Sequence, residues 1–526
     1  MWFSIDLNTS IIYLKFYGTI IIYFTQKHIS YILSKEDSVT YKFSQEQIYL
    51  ANLLARNTFP EDFLFGVSAP VVNNERELRC MIREESECIM NNVTRYTNFN
   101  LHYKEDILFA KSINSKMFKM SLSWTRIMPH GFTNFINQDA IQHYNTVINE
   151  IIANGMTPMV TIFDWDLPLN LQLLGGCTNP MLVKWFQDYA RIIFDAFGDR
   201  VKFWVTINEV NLMAYSDRST HIAAINQSGI ADYLCGHYML LAHAKVYNMY
   251  NENFRQSQNG KVGIIQFYTW MELQNDDSQA DIYGQRRGLE WYNGWLTHPI
   301  FSKSGDYSKL MRNRIDFKSL FQGFSRSRLP YFTDKEVQLI KDSADFLGIN
   351  FWREFKIRAE EIWKGEVSFK HDADIAFLSE SESIYNTRTE ITMSAFGKLL
   401  EWLDNNYILP DVYIIENGCA NIGEIANNEE IMDINRIIYL RQYISQVMKA
   451  MQKGINIRGY LICSLIDSFL RVKFGFYHIN FSNSNFTRTS KSSSKVIAEI
   501  FKTRVIHLTI EPERAEITSE IDEEII

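Results

Sequence analysis

One alternation, repeated along most of the chain, limits what this sequence can fold into. From about Phe59 onward, short β-branched and aromatic runs alternate with longer stretches of helical periodicity. Eight runs stand out, at 63–69, 117–124, 157–165, 201–209, 262–267, 345–352, 411–418 and 457–467. Helical patterns lie between several of them, for example at 139–154, 183–197 and 436–453. Apolar runs flanked by helices are strands buried on both faces, and such strands pair in parallel. Eight strand–helix units closing on themselves make an α/β fold, the (β/α)8 TIM barrel, as a single domain. A length of 526 residues would allow three or four ordinary domains, but a barrel absorbs several hundred residues as one unit.

A barrel gives position a meaning, because the C-terminal ends of its strands surround the active site. The fourth run, Trp204-Val-Thr-Ile-Asn208-Glu209, and the seventh, Val412-Tyr-Ile-Ile-Glu416-Asn-Gly418, each end on a glutamate beside an asparagine. One strand-end glutamate is as readily a structural ion-pair partner. Two on one rim are what glycosidic bond cleavage requires: one carboxyl held protonated as general acid, the other ionised to attack the anomeric carbon.

Composition narrows the partners. The chain is 46% hydrophobic and 14% aromatic with a net charge of −8, which suits a large core and argues against nucleic acid. No CxxC or HExxH spacing occurs, so no metal and no cofactor are expected. Six cysteines do not make a disulfide scaffold in so long a chain, and only Cys80 and Cys88 are close enough in sequence to suggest a bridge. The apolar stretch at 11–24 is interrupted by Lys15 and is short of the roughly 20 residues of a membrane span. It also lacks the basic start and cleavage motif of a secretion signal. A degenerate signal, a weak membrane anchor and a gene-model error all fit it. Sequons at Asn8, Asn92, Asn226, Asn480 and Asn485 permit glycosylation, the acidic tail from Glu511 reads as a solvated end, and the serines at 490–494 read as a surface loop.

From about Thr58 to Val505 the chain resembles glycoside hydrolase family 1, the β-glucosidase family, and particularly its insect and other animal members. The resemblance is carried by FPEDFLFGVSA at 59–69, SLSWTRIMPHG at 121–131, WDLPLNLQ at 165–172, HPIFSKSGDY at 298–307, SRLPYFT at 327–333, SADFLGIN at 343–350 and IENG at 415–418. It implies a retaining mechanism with Glu209 as acid/base and Glu416 as nucleophile, and Asn208 hydrogen-bonding the sugar 2-hydroxyl. Trp165 and Asn350, inside matching segments, join the implied substrate-binding set.

Around that core the implied sugar-binding residues are exchanged. Asn73 stands where the family has glutamine. Asp164 replaces a histidine in the segment Phe163-Asp164-Trp165-Asp166-Leu167-Pro168. Lys119 replaces an arginine, keeping the charge and losing the planar fork. Trp352 replaces a tyrosine. The last strand reads Cys463-Ser-Leu-Ile-Asp467-Ser468-Phe469-Leu470-Arg471, so Leu470 stands for a hydroxyl-chelating glutamate, and Cys463 and Arg471 for two tryptophans. Each lost hydrogen-bonding partner costs about 1–3 kcal/mol.

The sequence therefore supports two readings: a retaining β-glycosidase of altered specificity acting on a small glycoside or oligosaccharide, or a barrel that no longer hydrolyses and binds a ligand or partner. The expected layout is an N-terminal extension at 1–57, the barrel at 58–505 and an acidic tail at 506–526, in a secreted or luminal protein.

Overall fold

A computed structural model of the chain describes residues 11–16, 19–24, 56–69, 99–214, 225, 227–275, 277–360, 366–378, 393–419, 425–427, 430–467, 473–480 and 487–506. All eight runs form strands: β1 (Leu64–Ser68), β2 (Met117–Ser121), β3 (Thr157–Phe163), β4 (Phe203–Ile207), β5 (Lys261–Leu273), β6 (Phe346–Ala359), β7 (Asp411–Asn417) and β8 (Ile457–Cys463). Each pairs in parallel with the next, and β8 pairs with β1, so the sheet closes into a (β/α)8 barrel. The ends of the unit meet where Phe59 N–H donates to the Arg504 carbonyl at 2.8 Å.

Helices expected from periodicity lie at Gln138–Ala153, Leu182–Phe197 and Ile434–Gln452. The first begins at Asn137, whose side chain accepts from the Asp139 and Ala140 amides. The second buries Trp185, Phe186, Tyr189, Ile193 and Phe197, a stripe at helical spacing facing the sheet. Inside the barrel, Met117, Met159, Val205, Ile265, Phe346, Tyr413, Ile415 and Leu461 form a separate apolar plug. The site therefore has a packed floor. Gly66 is required by that packing, since a Cβ there would lie 2.6 Å from the Met117 carbonyl oxygen and 2.9 Å from Leu461 Cγ.

Two sequence expectations need correction, and one bridge is new. β5 and β6 run past the expected ends at 267 and 352, continuing as a parallel ribbon to Leu273 and Ile357, with Ile375–Phe377 added antiparallel. The serines at 490–494 are no surface loop. Ser493 and Ser494 are buried at the start of helix Ser492–Thr503, where Ser493 donates through its amide and hydroxyl to Asp433 at 2.8 and 2.6 Å. Short hydroxyl side chains serve there as internal donors to a buried aspartate. Finally, a disulfide joins Cys177 to Cys235, 58 residues apart, a pair that sequence proximity could not suggest; Cys80 and Cys88 lie outside the described residues.

Within the apolar stretch, Ile11–Phe16 and Thr19–Phe24 pair as an antiparallel hairpin. Among the described residues no helix is long and apolar enough to cross a membrane.

Candidate active site

Alternation along β2 turns Met117 into the plug and places Lys119 and Ser121 above it on the same face. On β4, Phe203 and Val205 face the interior, and past the strand end at Ile207 the chain turns so that both Asn208 and Glu209 reach the rim. Glu209 has φ 53, a left-handed backbone uncommon for a residue with a side chain. The turn is held on either side: Asn208 N–H donates to the Phe163 carbonyl at 3.0 Å, and the Glu209 carbonyl accepts from Met213 at 2.9 Å.

Glu416 reaches the interior by a different route. In β7, Ile414 pairs with Ile349 and Glu416 with Asn350, so Ile415 is an extra residue in the ladder. Without that bulge, simple alternation would send either Ile415 or Glu416 to the helix side. With it, Ile415 fills the plug while Glu416 accepts a hydrogen bond from Lys119 Nζ at 2.5 Å.

Asn350 ties the two halves together. It is the cross-strand neighbour of Glu416 and donates through Nδ2 to Glu209 Oε1 at 3.0 Å and to Asn208 Oδ1 at 3.4 Å. Asn208 Nδ2 in turn donates to Asp164 Oδ1 at 3.1 Å, and Ser121 Oγ donates to Asp164 Oδ2 at 2.5 Å. Lys119, Glu416, Asn350, Glu209, Asn208, Asp164 and Ser121 thus form one connected rim cluster.

The two glutamates have unlike surroundings. Burial, then the charge of Glu416, raise the Glu209 carboxyl from 4.5 to about 8; the Asn350 hydrogen bond and Lys119 pull the other way, and Asp164 adds to the rise. Glu416 instead holds the buried Lys119 in an ion pair. Burial works against the Lys119 charge, but Glu416 and then Asp164 outweigh it, so the ammonium is held above its ordinary value. The Cys463 thiol is pushed up by burial and by Glu416, which keeps it neutral.

Of the remaining candidates, Trp165 is half-buried with φ 68, and Trp352 packs edge-on against Phe474 with ring centroids 5.3 Å apart. Cys463 ends β8 as a free buried cysteine. Asn73, Leu470 and Arg471 lie outside the described residues. Ser121 is a site residue that sequence reasoning missed. Its signal was the shared parity with Lys119 on β2, in a segment already singled out. Among the described residues no cluster of three or more His, Cys, Asp or Glu is placed to hold a metal.

A closed parallel barrel with two unlike carboxyls at its C-terminal rim is the architecture of a glycosidase-type site. The sequence profile of Glycosyl hydrolase family 1 matches residues 55–505, and the chain belongs to that family. It is 33% identical to Myrosinase 1 of Brevicoryne brassicae over 469 residues, covering 85% of this chain and 98% of that protein. It is 34% identical to lactase/phlorizin hydrolase of Rattus norvegicus over 408 residues, 76% of this chain but only 21% of that much longer protein. Among solved structures, aphid myrosinase superposes with a TM-score of 0.75 at 32% identity, covering 85% of this chain and 99% of that one.

Proposed function

We propose that this protein is a retaining β-glycosidase with altered sugar specificity, using Glu209 as acid/base and Glu416 as nucleophile. The observation that carries the proposal is the asymmetry of the pair: Glu209 is raised to about 8 by burial and Glu416, while Glu416 is ion-paired with Lys119. Near neutral pH one carboxyl then has a proton to give while the other is a carboxylate.

In the first step Glu416 attacks the anomeric carbon as Glu209 protonates the departing glycosidic oxygen, leaving a glycosyl ester on Glu416. In the second, Glu209, now ionised, takes a proton from water, the water oxygen bonds to the anomeric carbon and the ester breaks. Two inversions give net retention. Asn350 positions Glu209 through its 3.0 Å hydrogen bond. Asn208 spends one amide hydrogen on Asp164 and keeps the other for a sugar 2-hydroxyl.

The exchanged residues support altered specificity. Asp164 adds a third carboxylate to the cluster, and Cys463 at the end of β8 offers no ring for a sugar to stack on. These same exchanges favour the second reading, a ligand-binding barrel without turnover. The test is incubation with 2-deoxy-2-fluoro-β-glycosides of several sugars, followed by peptide mass spectrometry. Stoichiometric label on Glu416 is expected; no label from any of the sugars would reject hydrolysis. The Cys177–Cys235 bridge supports a secretory route, since such bonds persist in oxidising compartments.

A further inference from the structure

We propose that the site selects β-glycosides carrying an ammonium group on the C2–C3 edge of the sugar, read by Asp164. The proposal rests on the hydrolase reading above and specifies its substrate class. The cluster contains three carboxyls, Glu209, Glu416 and Asp164, and one cation, Lys119. Lys119 spends its 2.5 Å hydrogen bond on Glu416. Asp164 is held by two neutral donors, the Ser121 hydroxyl at 2.5 Å and the Asn208 amide at 3.1 Å, and among the described residues no Lys, Arg or His forms an ion pair with it. With Glu209 protonated, two negative charges face one positive charge in a largely desolvated site.

Among the described residues Asp164 feels the charge of Lys119 without forming an ion pair of its own, and a ligand cation beside it would supply the second positive charge that the two carboxylates lack. Asp164 is only half-buried, and each of its oxygens retains a lone pair after accepting from Ser121 or Asn208. Its contact with Asn208 puts it, with Asn208 on the 2-hydroxyl as proposed above, on that edge of the sugar. The carbonyl Oδ1 of Asn350, buried and without a donor among the described residues, adds another acceptor to the cluster. An ammonium group supplies both the missing charge and the donors. A hydroxyl supplies a donor alone, and an anionic sugar is repelled. Hydrogen bonds from an ionised donor to a carboxylate are about twice as strong as neutral ones.

The test compares kcat/KM of the full chain and of Asp164→Asn on p-nitrophenyl β-glycosides bearing a 2-amino, a 3-amino or an unmodified glucose. Using each substrate on both proteins cancels the intrinsic slowing that an ammonium imposes on its own glycoside. Asparagine is isosteric and can still bond Ser121 and Asn208, and a matching thermal melt checks that it folds. The ratio of amino to unmodified glycoside should fall by about tenfold or more in Asp164→Asn for at least one amine position. An unchanged ratio at both positions, with turnover retained, overturns the proposal; so does wild-type protein in which Arg471 already neutralises Asp164, seen as an amine preference that appears only in Arg471→Gln. If no glycoside is turned over, calorimetry with free glucosamine and glucose separates the two claims. Tighter glucosamine binding that is lost in Asp164→Asn upholds the charge reading while hydrolysis fails, and equal binding rejects both.

Discussion

Raising the pH through about 8 should switch off the proton that, in the proposed mechanism, Glu209 gives to the leaving group. Burial and Glu416 lift that carboxyl from 4.5 to about 8. The displacement amounts to roughly 5 kcal/mol in favour of the neutral acid. The assay is kcat/KM across pH on two glycosides of one sugar, one leaving as phenol and the other as dinitrophenol. Above pH about 8 the phenyl glycoside should lose about tenfold per unit, while the dinitrophenyl glycoside, which needs no proton, should hold its rate further. Asn350→Ala removes a hydrogen bond that favours the ionised form and should move the alkaline limb upward. The same shift predicts stability. The folded value lies above the unfolded one, so the contribution is full below 4.5 and is lost as the pH rises through about 8. Glu209→Gln should therefore be more stable than wild type above pH about 8. An alkaline limb shared equally by both glycosides, or one that survives in Glu209→Gln, would refute the reasoning.

Replacing Cys177 and Cys235 with serine opens a 58-residue loop in the unfolded chain and should cost about 4 kcal/mol in a denaturant titration. Arg328 holds Asp372 through two 2.7 Å hydrogen bonds at a fully buried site, so Arg328→Met should destabilise by about 3–5 kcal/mol, and adding Asp372→Leu should recover a large part of the loss. Gly66→Ala forces a Cβ against the Met117 carbonyl oxygen, which is backbone and cannot swing aside; the urea midpoint should fall by the equivalent of about 1–3 kcal/mol.

The barrel was legible because its signals are local. A strand buried on both faces announces itself within five to eight residues, and all eight runs hold strands whose described starts fall within two residues of the expected ones. The overshoot of β5 and β6 was not legible, since the ribbon beyond the rim exists through pairing between segments 84 residues apart, as between Trp270 and Glu354. The serines at 490–494 misled for the same reason. Their composition is that of a loop, but Asp433, 60 residues earlier, supplies the buried acceptor that draws Ser493 inside. Cysteine spacing singled out Cys80 and Cys88, which lie outside the described residues, and it carries no trace of the Cys177–Cys235 bridge, which forms because the fold sets a turn against helix Ala231–Asn253.

At the site, the amino-acid order by itself determined which residues stand at the ends of which strands: Glu209 after the fourth, Glu416 in the seventh, Asp164 after the third. Where a strand ends is written in consecutive residues, so it survives being read in one dimension. Tertiary structure decided what those residues do to one another. The bulge at Ile415 turns Glu416 inward, Asn350 reaches across from a neighbouring strand to Glu209, and Lys119 settles on Glu416 while Asp164 is left to Ser121 and Asn208. Strand register and the sharing of one cation among three carboxyls depend on how the barrel closes. That closure sets burial and charge separation, and these raise the Glu209 carboxyl while Glu416 takes the ion pair with Lys119.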